Sequence, residues 1–108
     1  MTARKRGSQV HVAISKEPSS TLYKPCVDVT MNSVADVYGG STLGVILTGM
    51  GSNGVTGFQN VKQRGGVIIA QNEQTCVVYG MPRAVIEAGI ADHIVPIDDV
   101  AAEIVSFF

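Results

Sequence analysis

Two apolar runs of like build set the frame of the chain: Gly44-Val45-Ile46-Leu47-Thr48 and Gly66-Val67-Ile68-Ile69-Ala70, each short, β-branched and introduced by glycine. Runs without polar alternation suit strands covered on both faces, as in a parallel sheet. Between them Val55, Phe58 and Val61 recur at helical spacing, with Lys62 and Arg64 close to the end and Gly65-Gly66 beyond. That predicts a helix of about three turns whose basic residues lie at the negative end of its dipole. The unit is βαβ.

The pattern then repeats. Pro82 is a first-turn residue, Ala84, Val85, Ile86 and Ala88 form the apolar part of a helix, and Gly89 stops it. His93-Ile94-Val95-Pro96 predicts a third strand, and residues 98–107 an amphipathic helix capped by Asp98 or Asp99. Upstream, residues 28–38 suit a short helix ended by Gly39-Gly40. The stretch Gln9-Val10-His11-Val12-Ala13-Ile14 alternates weakly, as an exposed strand with one covered face would, and His11 falls on its polar phase. Residues 16–24, with Pro18 inside and Pro25 just after, predict a loop. The expected architecture is α/β, a Rossmann-like three-layer αβα arrangement with a mainly parallel sheet and right-handed crossovers. Residues 1–9 are expected as a flexible tail and residues 10–108 as the domain.

Composition adds exclusions. With 45% hydrophobic and 16% charged residues over 108 positions, the chain is that of a packed globular domain. Its 8 basic and 9 acidic residues leave a net charge of −1, which gives no electrostatic case for nucleic acid or an anionic membrane. The basic cluster Arg4-Lys5-Arg6 falls within the expected tail. No apolar run approaches the roughly 20 residues that span a bilayer, and no signal-type apolar region follows the basic start, so a cytoplasmic protein is expected. Cys26 and Cys76 are far apart and belong to no metal-ligand spacing, which predicts buried free thiols and no metal site.

Directly after the first run comes Gly49-Met50-Gly51-Ser52-Asn53-Gly54, a G-x-G-x-x-G pattern between a predicted strand and a predicted helix. One reading is a dinucleotide fingerprint, in which glycine lets backbone N–H groups approach a pyrophosphate at a helix N-terminus. Against it, the second strand ends in Gln71-Asn72 where an acid should meet the ribose, Glu73 comes late, and only one mononucleotide-type half is present. Another reading is a tight strand-to-helix turn with no ligand. Asn53 followed by Gly54 is also the pairing that favours backbone attack on a side-chain amide, and hence deamidation.

The stretch LGVILTGMGSNGVTG, residues 43–57, and AQNEQTCVVYGMPRAVIEAG, residues 70–89, resemble two signature stretches of the chemotaxis protein-glutamate methylesterases. Lys24-Pro25-Cys26-Val27-Asp28-Val29 through Ser33 is similar to the family's segment leading into a helix, and the strand near Val10 to part of a preceding hairpin. The resemblance implies a serine hydrolase that demethylates receptor glutamate esters and deamidates receptor glutamines through a Ser-His-Asp triad, without a cofactor. It implies methylated chemoreceptors as partners. The family's nucleophile and imidazole come from the N-terminal half of the catalytic domain, so this chain, matching the second half from about residue 26, is expected to be an incomplete domain that cannot hydrolyse an ester alone.

By the same resemblance, Asn53 stands at the position of the family's triad carboxylate, and Met50 at the position whose backbone N–H helps form the oxyanion hole. An amide there can accept a hydrogen bond, yet its NH2 can instead donate to the imidazole and hold the wrong tautomer. Removing half of such a domain would leave the strand at residues 44–48 unpaired, which predicts a homodimer through Val45, Ile46 or Leu47. His11 and His93 lack a serine and acid in any recognisable motif and are expected to be structural. Gln71-Asn72-Glu73 ends a strand beside the glycine loop and Thr48 precedes it; each suits substrate contact or ordinary loop polarity. Arg83 suits an acidic receptor segment or a local carboxylate. Beside the methylesterase reading stand a dinucleotide-binding half-domain and a non-catalytic interaction module.

Overall fold

Strand β4 (Val67–Gln71) anchors the molecule in this computed structural model, which describes residues 1–14 and 26–108. Its last four residues are buried, as expected of a strand covered on both faces. It pairs in parallel with β3 (Leu43–Ile46) on one side and β5 (His93–Val95) on the other, giving the order β3-β4-β5. The crossover between β3 and β4 is helix α2 (Val55–Gln63), and that between β4 and β5 contains α3 (Met81–Glu87). Helix α1 (Val27–Tyr38) precedes β3, and α4 (Ile97–Val105) follows β5. The loop expected at residues 16–24 lies outside the described residues.

Side chains of successive strand residues face opposite ways. Ile46, Ile68 and Ala70 share one face with Phe58 and Val61 of α2, Val85 of α3 and Ala35 of α1, all buried. Val45 and Ile69 therefore look to the other face, where α4 packs against β4 and buries Val100. The α/β class and three-layer arrangement expected from the sequence are present. One expectation changes: Ile46 is 3% exposed within the core beneath α2, so among the residues named for a strand-edge interface only half-buried Val45 and Leu47, 40% exposed, have surface to offer.

The N-terminal residues correct the sequence reading. Thr2–Arg6 is strand β1, not a tail, and pairs antiparallel with β2 (Gln9–Ala13) in a hairpin turned at Gly7 and Ser8. The Ala3 N–H donates to Ser33 Oγ at 2.8 Å and the Thr30 hydroxyl to Met1 O at 2.7 Å, docking the hairpin on α1. Charge at Arg4, Lys5 and Arg6 suggested solvation, and those side chains are indeed exposed, but backbone pairing is indifferent to it. The covered face expected for β2 is missing among the described residues, with Val12 66% exposed. At α4 the expected aspartate cap is replaced: Pro96 is the N-cap, Asp98 and Asp99 lie in the first turn where the dipole favours them, and the Ile97 N–H donates to Thr75 Oγ1 at 3.0 Å.

Between β4 and α2 a solvent-exposed ion pair ties the layers. Asp92 accepts from the Ile68 N–H at 2.8 Å and pairs with Lys62. Burial, the largest single influence, pushes its carboxyl up, but the Lys62 bond, the Ile68 N–H and the nearby positive charge together hold it below the usual carboxylate range. A depressed folded-state value means stability present above the unfolded value near 4 and lost as pH falls through the folded one. Asp92→Asn is therefore expected to lower stability at neutral pH by no more than about 1 kcal/mol, since solvent screens an exposed pair, with the gap to wild type closing below about pH 4. Urea midpoints taken across that range check it; a gap that persists in acid would sink the assignment.

Candidate functional site

The chain leaves β3 and crosses the C-terminal edge of the sheet before entering α2, and it is held there by side chains from the next crossover. The Thr48 N–H donates to Gln71 Oε1 at 2.8 Å. The Thr48 hydroxyl accepts from the Val78 N–H at 2.8 Å and donates to Val78 O at 3.0 Å. Gln71 is 2% exposed, and its Nε2 donates to Thr75 O at 2.8 Å. A buried carboxamide bonded at both ends leaves no polar group unmet and locks the ends of β3 and β4 to the following loop. Thr48 and Gln71 are thus structural supports of the loop. Asn72 Oδ1 accepts from the Thr75 N–H and hydroxyl at 3.2 and 2.7 Å, closing the short turn beyond β4, while Glu73 is exposed.

Gly49 is clamped on both sides. Its N–H donates to Val78 O at 3.0 Å, and its carbonyl accepts from the Gly80 and Met81 N–H groups at 3.1 and 2.8 Å, at the entrance to α3. So close an approach requires glycine at position 80, where a Cβ would lie 2.7 Å from Gly49 O and 2.8 Å from Gly51 N. In a trans peptide the C=O and the following N–H point in opposite directions. Pinning the Gly49 carbonyl against α3 therefore turns the Met50 N–H away from it. That N–H donates to nothing among the described residues, and the Met50 side chain is 77% exposed.

Asn53 sits, half-buried, at the other end of the loop. Its Oδ1 accepts from the Asp28 N–H at 3.3 Å and from the Cys26 thiol at 3.6 Å. Two donors at one atom fix which end of the carboxamide is oxygen. Nδ2 is left without a partner among the described residues. Asp28 returns the contact: its Oδ1 accepts from the Gly54 N–H at 3.1 Å and the Gly57 N–H at 2.8 Å. Neither α1 nor α2 has a side-chain cap from its own N-cap residue, so each helix start is satisfied by the other segment. Gly54 itself holds φ at +116°, a conformation that strains any side chain.

This exchange bears on the dinucleotide reading. A pyrophosphate would need the N–H groups at the start of α2, and a carboxylate already holds two of them. Sequence reasoning did not single out Asp28 for this role. An acid in the first turn of a helix is ordinarily accounted for by that helix's own dipole, which hides a partner in another segment. Gln71 gave a fainter signal, as a lone amide closing an apolar run.

The remaining candidates lie apart from this loop or are otherwise engaged. His11 is exposed on β2. His93 bonds Glu103 at 3.1 Å through Nδ1 and meets the edge of Phe107 at 5.6 Å between ring centroids. Arg83 pairs with Glu87 at 2.8 Å along α3. Both cysteines are free and half-buried. Burial, then Glu73, pushes the Cys76 thiol up against the opposing Thr48 contact, which makes it a poor nucleophile at neutral pH. Among the described residues no cluster of three or more His, Cys, Asp and Glu could hold a metal ion, and no helix is long and apolar enough to cross a membrane.

Comparison with known proteins adds three findings. A family model described as CheB methylesterase matches residues 1–104. The chain is 50% identical over 106 residues to a protein-glutamate methylesterase/protein-glutamine glutaminase 2 of Nitratidesulfovibrio vulgaris, covering 98% of the chain and 29% of that protein. It is 49% identical over 106 residues to a protein-glutamate methylesterase/protein-glutamine glutaminase of Desulfitobacterium hafniense, of which it spans 27%. Among solved structures, the catalytic domain of the Thermotoga maritima CheB methylesterase superposes with a TM-score of 0.94 at 36% identity, over 99% of this chain and 57% of that one.

Proposed function

The chain belongs to the CheB methylesterase family, and we propose that it forms the glycine-loop wall of a hydrolase site for glutamate methyl esters on chemoreceptors. In this reading it serves cytoplasmic chemotaxis signalling, and receptor glutamines are deamidated at the same site. The observation that carries it is the clamped Gly49 peptide, which presents the Met50 N–H outward a few residues before the position of a triad acid. An N–H fixed in advance, with no acceptor among the described residues, is what an ester carbonyl needs as it becomes an oxyanion, because no reorganisation is required when charge develops. Asn53, at the other end of the loop, stands in this reading at the position of the residue that orients the imidazole.

The nucleophilic serine and the histidine are supplied from outside these residues. Asn53 bonds to Cys26 and Asp28 and to no histidine among the described residues, and His93 is engaged by Glu103. The expected result is that a polypeptide of these 108 residues, assayed alone, releases methanol from methylated receptors no faster than buffer. Release that survives further purification and tracks the chain would overturn the division of the site.

A second copy is the partner proposed for that same isolated polypeptide. Strand β3 has β4 as its one neighbour in the sheet among the described residues, and its open edge carries neither charge nor proline. Two-fold pairing of these edges would be the closed arrangement of identical chains. Sedimentation equilibrium at micromolar concentration should show a dimer that Val45→Lys or Leu47→Lys weakens at least about tenfold, a change worth about 1.4 kcal/mol. A monodisperse monomer ends this proposal.

A further inference from the structure

We propose that Asn53 is a self-modifying residue, converted to aspartate by an intramolecular reaction that Asp28 and the start of α1 promote. The bond-forming atoms are Gly54 N and Asn53 Cγ, and each is already prepared by the contacts described above. The Gly54 N–H donates to Asp28 Oδ1 at 3.1 Å, within the range in which a carboxylate can take the proton as the nitrogen attacks. Asn53 Oδ1 accepts from the Asp28 N–H and the Cys26 thiol at 3.3 and 3.6 Å, donors that polarise the carboxamide and stabilise the oxygen as it gains charge. Nδ2, the leaving nitrogen, is the end of the amide that no described residue holds.

The steps balance without any added reagent but water. Gly54 N forms a bond to Asn53 Cγ as its proton passes to the Asp28 carboxylate. The tetrahedral centre collapses, the Cγ–Nδ2 bond breaks, and Nδ2 takes the proton from Asp28 and departs as ammonia. Water then adds its oxygen to Cγ of the five-membered imide as the Cγ–N bond breaks; one of its protons goes to Gly54 N, and the acid so formed releases the other to solvent, leaving a carboxylate on residue 53. Asn53 is half-buried, which leaves the imide open to that water, and position 54 presents no side chain to obstruct ring closure. Opening at Cγ restores the normal backbone, in which the Gly54 N–H again meets Asp28 Oδ1 at the start of α2. The chemistry stands apart from the methylesterase reading; only its consequence, arrival of a triad acid, rests on that reading.

The experiment follows the intact chain at neutral pH by mass spectrometry of the peptide containing Asn53, with ammonia measured in parallel. The folded chain is expected to convert at least about tenfold faster than the same chain in urea, equivalent to about 1.4 kcal/mol of barrier. It should yield aspartate in place of isoaspartate as the main product. Asp28→Asn, which keeps an acceptor but not a base, should slow the folded rate roughly a hundredfold while leaving the rate in urea unchanged. Asn53→Gln should show no mass change at that peptide. A folded chain that converts no faster than the unfolded one overturns the proposal, as does isoaspartate as the main product. The comparison with urea stands even if the Asp28 variant fails to fold. Because the readout is mass and ammonia, a negative result leaves the hydrolase reading untouched, and loss of that reading leaves this one intact.

Discussion

Asn53→Asp is expected to raise kcat about ten-thousand-fold once the serine and histidine are supplied by the complementary part of a methylesterase catalytic domain, the size of the effect for the comparable exchange in serine proteases. The reason is visible in the carboxamide. Its oxygen is taken by the Asp28 N–H and the Cys26 thiol, so the group left to meet an imidazole is the Nδ2 donor. A donor there selects the tautomer that cannot accept the serine proton and offers no charge to stabilise imidazolium. A carboxylate resolves the conflict, since one oxygen keeps the helix contact while the other faces the ring. KM should stay nearly constant, because the gain is confined to the transition state. The measurement is steady-state methanol release from a reconstituted enzyme with freshly prepared wild type as reference; equal kcat values would show that residue 53 does not orient the base.

The second large effect is on stability. Asp28→Ala is expected to cost about 3 kcal/mol, out of the 5–15 that usually hold a domain of this kind. Gly54 and Gly57 are both buried, so water cannot easily replace the carboxylate oxygen that receives their N–H groups at 3.1 and 2.8 Å. Asp28→Asn keeps an oxygen in place and should lose only about 1 kcal/mol. Urea denaturation of the set, read at fixed protein concentration, tests the ranking. If the alanine variant loses less than the asparagine variant, the cap lies elsewhere.

The strands and helices of the domain were legible because their signal is local. Glycine followed by a β-branched run marked β3 and β4, and the spacing of Val55, Phe58 and Val61 marked α2. The same signals failed at the chain start, where the charge of Arg4-Lys5-Arg6 concealed a strand whose partner lies across a turn. They also gave no means to tell which face of β3 looks inward, so buried Ile46 was named with its half-buried and exposed neighbours as an edge contact. At the candidate site, Met50 and Asn53 stand out only through likeness to a family pattern. What remained hidden was the direction in which each group points. The Met50 N–H is turned outward by hydrogen bonds to residues 80 and 81, and the Asn53 amide is oriented by residues 26 and 28. Periodicity records burial along one segment and carries no account of hydrogen bonds between segments.

The exchange of caps between α1 and α2 has a consequence for how the molecule breathes. Asn53 serves the start of α1 only while Asp28 serves the start of α2, so fraying of either helix end removes the acceptor that holds the other. The two ends form a single cooperative opening unit, whose amides should share one free energy of exposure to deuterium. The glycine loop, attached to that unit at Asn53 and Gly54, inherits its protection on this side and opens only when both helices let go together.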